Sequence, residues 1–279
     1  TTVPKDLETF MQLVYLNMTS ASKDTAAVNA MMNNLELMLK NKDLNPESVY
    51  GDSVSNTIYG HNWRNKPLEV KDLKNFSYDR VMQMWKERYA NPGQFVYYFI
   101  GNFDEAKLIP LIEKYIGCLP KGKAENWKET PNYANGNIKN FFTRKMETPK
   151  AIAFEFWHMP MAYNMQNDVL ADAAAQVLSM VYLKSIREDA SAAYSVGAAG
   201  ALARKGDKAF AVMQAYCPMD PNKSDEAIKL LAQGFKDNTV KVDADKVQKV
   251  KDYMLKNHEE ELKSNNYWMD VIDEYVWTN

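Results

Sequence analysis

At 279 residues the chain is long enough for one large domain or two ordinary ones. Hydrophobic residues make up 46% and charged residues 25%, the balance of a globular protein with a real core. A formal net charge of −2 gives no electrostatic case for nucleic acid, and no apolar run approaches the ~18 residues of a membrane span.

The first elements read as helices. Leu7, Phe10, Leu13 and Val14 recur at helical spacing, and Ser22 or Asp24 is placed to cap a second helix. That helix carries Val28, Met31, Met32, Leu35, Met38 and Leu39 on one side. Asn45-Pro46 interrupts it, and Tyr50 to Leu68 reads as irregular. Ser77 caps a helix bearing Val81, Met84, Trp85 and Tyr89, and Asn91-Pro-Gly93 ends it. Phe95-Val-Tyr-Tyr-Phe-Ile100 reads as a buried strand. The turn Gly101-Asn-Phe-Asp104 then leads into a helix with Leu108, Leu111, Ile112, Tyr115 and Ile116, which stops at Leu119-Pro120. One strand is too few for a sheet, so the remaining strands of this part are expected before residue 1.

Residues 121–145 change character, with Lys-Gly-Lys, Pro131, asparagines and few aliphatics, and read as an interdomain connection. Beyond it, Ile152, Phe154 and Phe156 alternate as on a strand from Ala151 to Trp157. A long helix is predicted from about Asp168 to Ile186. Its Ala171–Ala175 stretch would let another element approach closely. Ala192–Ala199 and Ala209–Tyr216 read as a strand pair joined through Arg204-Lys-Gly206-Asp. Pro221 heads a helix with Ile228, Leu231 and Phe235, and Asp243 caps another with Val247, Val250 and Met254. The tail from Tyr267 to Trp277 reads as a last amphipathic helix without a cap. Together these elements predict an α+β fold, with helices packed on largely antiparallel sheets. Thr1 is not an initiator Met and the last helix has no stop, so the chain is expected to be a fragment or a processed product. Sixteen Met and sixteen Tyr are read as adaptable packing. For Cys118 and Cys217, two core thiols are preferred to one disulfide, without spacing deciding it.

One stretch carries chemistry. Ser185-Ile-Arg-Glu-Asp-Ala-Ser-Ala-Ala-Tyr194-Ser-Val-Gly197 sets an arginine and a tyrosine seven residues apart across a helix-to-strand turn. A guanidinium offers five donors in a rigid fork and a phenol donates to a carbonyl, so Arg187 and Tyr194 together suit a peptide backbone. The plain alternative is an arginine paired with Glu188 or Asp189, and an aromatic on a strand.

Four segments carry a family resemblance. Tyr59-Gly-His-Asn62 resembles a Tyr-Gly-His-Pro-like loop. Phe99-Ile-Gly-Asn-Phe-Asp104 resembles a strand-to-helix Val-Gly-Asp-Phe/Val-Asp segment. Tyr115-Ile-Gly-Cys-Leu-Pro120 resembles a domain end. Ile186-Arg-Glu-Asp-Ala-Ser-Ala-Ala-Tyr-Ser-Val196 resembles an Arg-Glu-x-x-Gly-Leu-Ala-Tyr-Ser-Val segment and is the most specific. The family is the pitrilysin/insulinase-type zinc metallopeptidases, which include the mitochondrial processing peptidases. Ser191 and Ala192 depart from its frequent Gly and Leu.

The resemblance implies that residues 1–120 are the later part of one α+β domain, and that 146–279 are most of the next, truncated at its C-terminus. It implies that Arg187 and Tyr194 bind substrate backbone facing a zinc site in the partner half, with Tyr194 also assisting catalysis. It also implies hydrolysis of peptide bonds by a zinc-bound water, and leans to a bacterial periplasm or cell-envelope location.

The family's inverted zinc motif, His-x-x-Glu-His, is missing: His61, His158 and His258 lie more than ninety residues apart. His258-Glu-Glu-Glu-Leu262 comes nearest, and its glutamates read as a helix face pairing with lysines. His61 reads as a loop buttress and His158 as a strand-end core residue. No metal ligands are therefore assigned in this chain. Zinc and the N-terminal zinc-binding half are expected outside it, in cis or as a partner subunit, with a peptide as substrate. The alternative is a non-catalytic scaffold or partner subunit on the same fold. A small-molecule module with a closed pocket is a further rival.

Overall fold

The computed structural model describes residues 2–123, 133–203 and 209–278. Its helices are α1 (Leu7–Thr19), α2 (Thr25–Lys40), α3 (Pro46–Ile58), α4 (Tyr78–Tyr89), α5 (Glu105–Ile112), α6 (Met165–Tyr182), α7 (Ser224–Val240), α8 (Ala244–Glu261) and α9 (Asn265–Thr278). The strands are β1 (Ala151–Pro160), β2 (Gly197–Ala203) and β3 (Phe210–Met219), antiparallel in the order β1-β3-β2. Contacts group the chain into two units. One holds Thr1–Lys40, Leu68–Trp127 and Glu260–Asn279, and the other Asn41–Pro67 and Lys128–Glu259.

The first unit is helical among its described residues. Ser77 and Asp24 cap as the sequence reads them, Ser77 Oγ accepting from the Arg80 N–H at 3.2 Å and Asp24 from Ala27 at 2.8 Å, and Asp104 at the end of its turn accepts from Ala106 at 3.0 Å. Met11 of α1 and Leu108 of α5 are buried, and Glu8 takes hydrogen bonds from Lys114 at 2.8 Å and Tyr115 at 2.9 Å. The expected strand at Phe95–Ile100 is not one. The segment has strand-like composition but no ladder partner among the described residues, and a strand is defined by its neighbour. Tyr98 instead donates to Asp273 of α9 at 3.1 Å.

In the second unit Asn45-Pro46 is a beginning rather than a break. Asn45 Oδ1 accepts from the N–H groups of Glu47 and Ser48 at 2.9 and 3.3 Å, Pro46 occupies the first helical position, and α3 runs to Ile58 through the stretch read as irregular. His61 has a positive φ of 57° and its backbone N–H, rather than its ring, closes the helix end on Asn56 O at 2.9 Å.

The sheet has two different faces. β1 and β3 pair Ala153 with Cys217 and Glu155 with Ala215, and these residues face α6 and α7. Leu178, Tyr182, Ile186, Cys217 and Leu231 are fully buried there, each large apolar side chain worth roughly 1.5–3 kcal/mol. On the opposite face Tyr133 packs on Phe156, His158 and Phe210 with ring centroids 5.0–5.6 Å apart. His158 Nε2 donates to Ala134 O at 2.9 Å, so His158 is a core-side strand residue. The turn 204–208 lies outside the described residues, as do residues 124–132 of the connection. Cys118 is exposed and Cys217 buried, and both are free thiols, so one of the pair is the core thiol expected.

The helix Met165–Asp189 is long and apolar enough by length and composition to cross a membrane. Its Ala175, Leu178, Tyr182 and Ile186 are buried on the sheet of this unit.

Candidate functional site

The connection from α6 to β2 positions Arg187 and Tyr194. After Tyr182 the helix widens into a π turn, Leu183–Asp189, with Ile186 buried as its anchor. The Ala192 N–H reaches back to Ile186 O at 2.8 Å, and Ala190 to Ser185 O at 3.2 Å. Ser191 lies in the left-handed region at φ 49°, which a glycine would occupy without strain. Ala192 and Ala193 are buried, and Ala193 bridges to Met219 beside β3. The chain then turns outward.

Tyr194 is 88% exposed, and the Arg187 guanidinium lies over its ring, with Cζ 5.8 Å from the centroid. Tyr194 is therefore not on a strand: β2 starts at Gly197, later than the expected Ala192, because Ala192 and Ala193 are spent on anchoring the turn. Nor is Arg187 paired with its acidic neighbours. Asp189 pairs with Lys184 at 3.5 Å, and among the described residues no acceptor takes a hydrogen bond from the Arg187 guanidinium. The two residues singled out in sequence meet in space with donors to spare.

Sequence reasoning missed the clamp. Lys223, just before α7, donates through Nζ to Ala190 O at 2.8 Å and Ser191 O at 3.2 Å, and the Asp220 N–H closes on Ala192 O at 3.0 Å. No motif marks Lys223; only the fold brings it thirty residues back. Lys223→Met is expected to cost about 1 kcal/mol of stability, with the turn at 190–191 exchanging its amide hydrogens faster. Hydrogen-exchange mass spectrometry and urea unfolding check this; unchanged exchange at 190–193 counts against the clamp.

α6 also closes one side of β2. Ser179 Oγ accepts from the Ala198 N–H at 2.7 Å and donates to Ala198 O at 2.9 Å, while Asp168 accepts from the Leu202 N–H at 2.9 Å. These are strand groups that β3 does not use, so the outer edge of β2 is in part already filled. Beside Tyr194, residues Ser195–Ala199, Gln214 and Tyr216 line a surface depression of about 290 Å³.

A zinc ion does not fit this site. No three His, Cys, Asp or Glu side chains come together among the described residues, and the ring Nε2 of His158 is committed to Ala134.

The model of the peptidase M16 inactive domain matches residues 75–254. A zinc protease PQQL-like protein of Arabidopsis thaliana is 27% identical over 158 residues, covering 56% of this chain and 16% of its own length. The probable zinc protease PqqL of Escherichia coli K12 is 22% identical over 160 residues, covering 57% and 17%. The structure of the periplasmic protease PqqL from Escherichia coli superposes with a TM-score of 0.79 at 19% identity, over 99% of this chain and 31% of that one. This chain thus spans about a sixth of the length of those curated relatives. The family match covers well over half of the residues, including the turn that carries Arg187 and Tyr194: the chain belongs to the peptidase M16 family and bears its inactive domain.

Proposed function

We propose that this chain supplies the substrate grip of a zinc metallopeptidase whose metal and water-activating glutamate reside in an N-terminal half, in cis or as a partner subunit. Arg187 holds a carbonyl or carboxylate of a peptide by charge-assisted hydrogen bonds. Tyr194 donates to the carbonyl at or next to the scissile bond and stabilises its developing negative charge. The single observation that carries the reading is the Arg187–Tyr194 pair: guanidinium over phenol ring, exposed, held on a clamped turn, with guanidinium donors that no described residue uses. Zinc would be held by the other half. Residues 1–120 are taken as the later part of one domain, 121–145 as the connection and 146–279 as most of the next. The E. coli relative is a periplasmic protease, which supports a periplasmic or envelope location.

The test is Tyr194→Phe in the assembled peptidase. Turnover of a peptide is expected to fall about tenfold or more. The unfolding midpoint should hold, because no described residue bonds the phenol and its ring is exposed. An unchanged kcat removes Tyr194 from the reaction. No cleavage by the assembled protein, with zinc bound in the partner half, favours the scaffold reading.

A further inference from the structure

The sheet face opposite α6 and α7 is stepped. On its β1 side it is built up by Tyr133 over Phe156 and Phe210. On its β2 side it drops to Gly197 and Ala199, which pair with Tyr216 and Gln214 of β3. Those four residues, with Ser195, Val196 and Ala198, line the 290 Å³ depression. Ala199 and Gln214 are exposed, and Tyr216 is 47% exposed. The depression begins at the residue after Tyr194. Its lining carries no charge, and its size lies near the lower end of small-ligand sites, roughly 300–1,000 Å³. That is room for a side chain rather than a folded partner.

We propose that this depression is a side-chain subsite, taking an apolar or aromatic residue of the peptide whose backbone Arg187 and Tyr194 hold. The proposal rests on the peptide-binding reading of that pair. Three observations favour it. The floor is glycine and alanine, so a large residue fits where a large floor residue would exclude it. The lining offers an uncharged amide, a phenol ring and aliphatic surface, against which a charged side chain would lose solvation without compensation. Strand addition is also limited at this place, because the Ala198 N–H and C=O and the Leu202 N–H already bond α6. A ligand here gains more from side-chain burial than from joining the ladder.

The experiment is fluorescence-anisotropy titration of the 279-residue chain with labelled, end-blocked pentapeptides differing only at the central residue: Phe, Ala or Glu. The Phe peptide is expected to bind about tenfold tighter than the Ala peptide, with Glu weakest. Ala199→Phe, at an exposed position, fills the depression and should abolish the Phe-over-Ala preference. Ala201→Phe, on the same face but outside the lining, should preserve it. Arg187→Ala should weaken all three peptides by a common factor. If Arg187→Ala weakens binding but Ala199→Phe leaves the preference intact, the subsite is wrong and the backbone grip stands. If Arg187→Ala changes nothing, the grip reading falls. Absence of binding by the folded parent chain overturns both.

Discussion

Gly200→Ala is expected to lower the unfolding free energy by about 2 kcal/mol, and Gly200→Val by more. A Cβ at position 200 would stand 2.5 Å from Ala171 O, 3.0 Å from Ala175 Cβ and 3.2 Å from Ala171 C. The nearest atom is a helix backbone oxygen, which no rotamer change can move. Strand β2 and helix α6 must separate instead. Separation also threatens the Ser179–Ala198 and Asp168–Leu202 hydrogen bonds, which lie on both sides of Gly200. The gain in unfolded-state rigidity from replacing glycine, roughly 0.5–1 kcal/mol, does not offset this. Urea unfolding of the parent and of Gly200→Ala measures the cost. Adding Ala175→Gly should not rescue stability, because it relieves the Cβ contact and leaves the carbonyl contact. Full rescue would show that the carbonyl is not the obstacle.

The alanine stretch 171–175 announced that close approach, although nothing in sequence said that Gly200 would be its partner. Other features were legible for equally specific reasons. Ser77 and Asp243 read as caps because an oxygen before an apolar-periodic run has few other uses, and each accepts the expected backbone N–H. Asn45-Pro46 was misread because proline stops one helix and starts another, and only the asparagine before it told which. Phe95–Ile100 was misread because composition shows strand propensity but not the presence of a neighbour. For the site, Arg187 and Tyr194 were legible as local spacing within a family segment. Lys223 was not, because its role depends on the fold returning α7 to the turn. The boundary of β2 was missed for a related reason: two buried alanines look the same on a strand or in an anchored turn.

The other large effect concerns Glu155, which alternation along β1 hid. With Phe154 and Phe156 facing inward, residue 155 should face water. Along β1 both sheet faces are covered, however, with Tyr133 over Phe156 and His158 on one side, and Glu155 lies on the α6–α7 side with a buried Oε2 that no group bonds among the described residues. Tyr182 comes from α6 and Cys217 from β3. Both have raised pKa values, mainly from burial and secondarily from Glu155. α7 contributes Ala227 and Leu231 to the core there. Burial therefore pushes the Glu155 carboxyl up from 4.5 to about 7. The unfolded chain releases this proton near pH 4.5 and the folded chain only near 7, so between those values the folded state holds more protons. Stability contributed by the neutral acid is fully present below 4.5, declines as pH rises, and is gone above about 7. At 1.36 kcal/mol per unit, discounted because the side chain is only half-buried, the loss is on the order of 2 kcal/mol. Glu155→Gln keeps the shape without the ionisation. It should be the more stable protein at pH 8 and lose that advantage at pH 4.5. Carboxylates with cationic partners, Glu8 with Lys114 and Asp243 with Lys246, are shifted the opposite way and occur in both proteins, so they cancel in the difference. Urea unfolding from pH 4 to 9 gives the two profiles. If they run parallel, the Glu155 carboxyl titrates as it would in water, and the buried oxygen is solvated in solution.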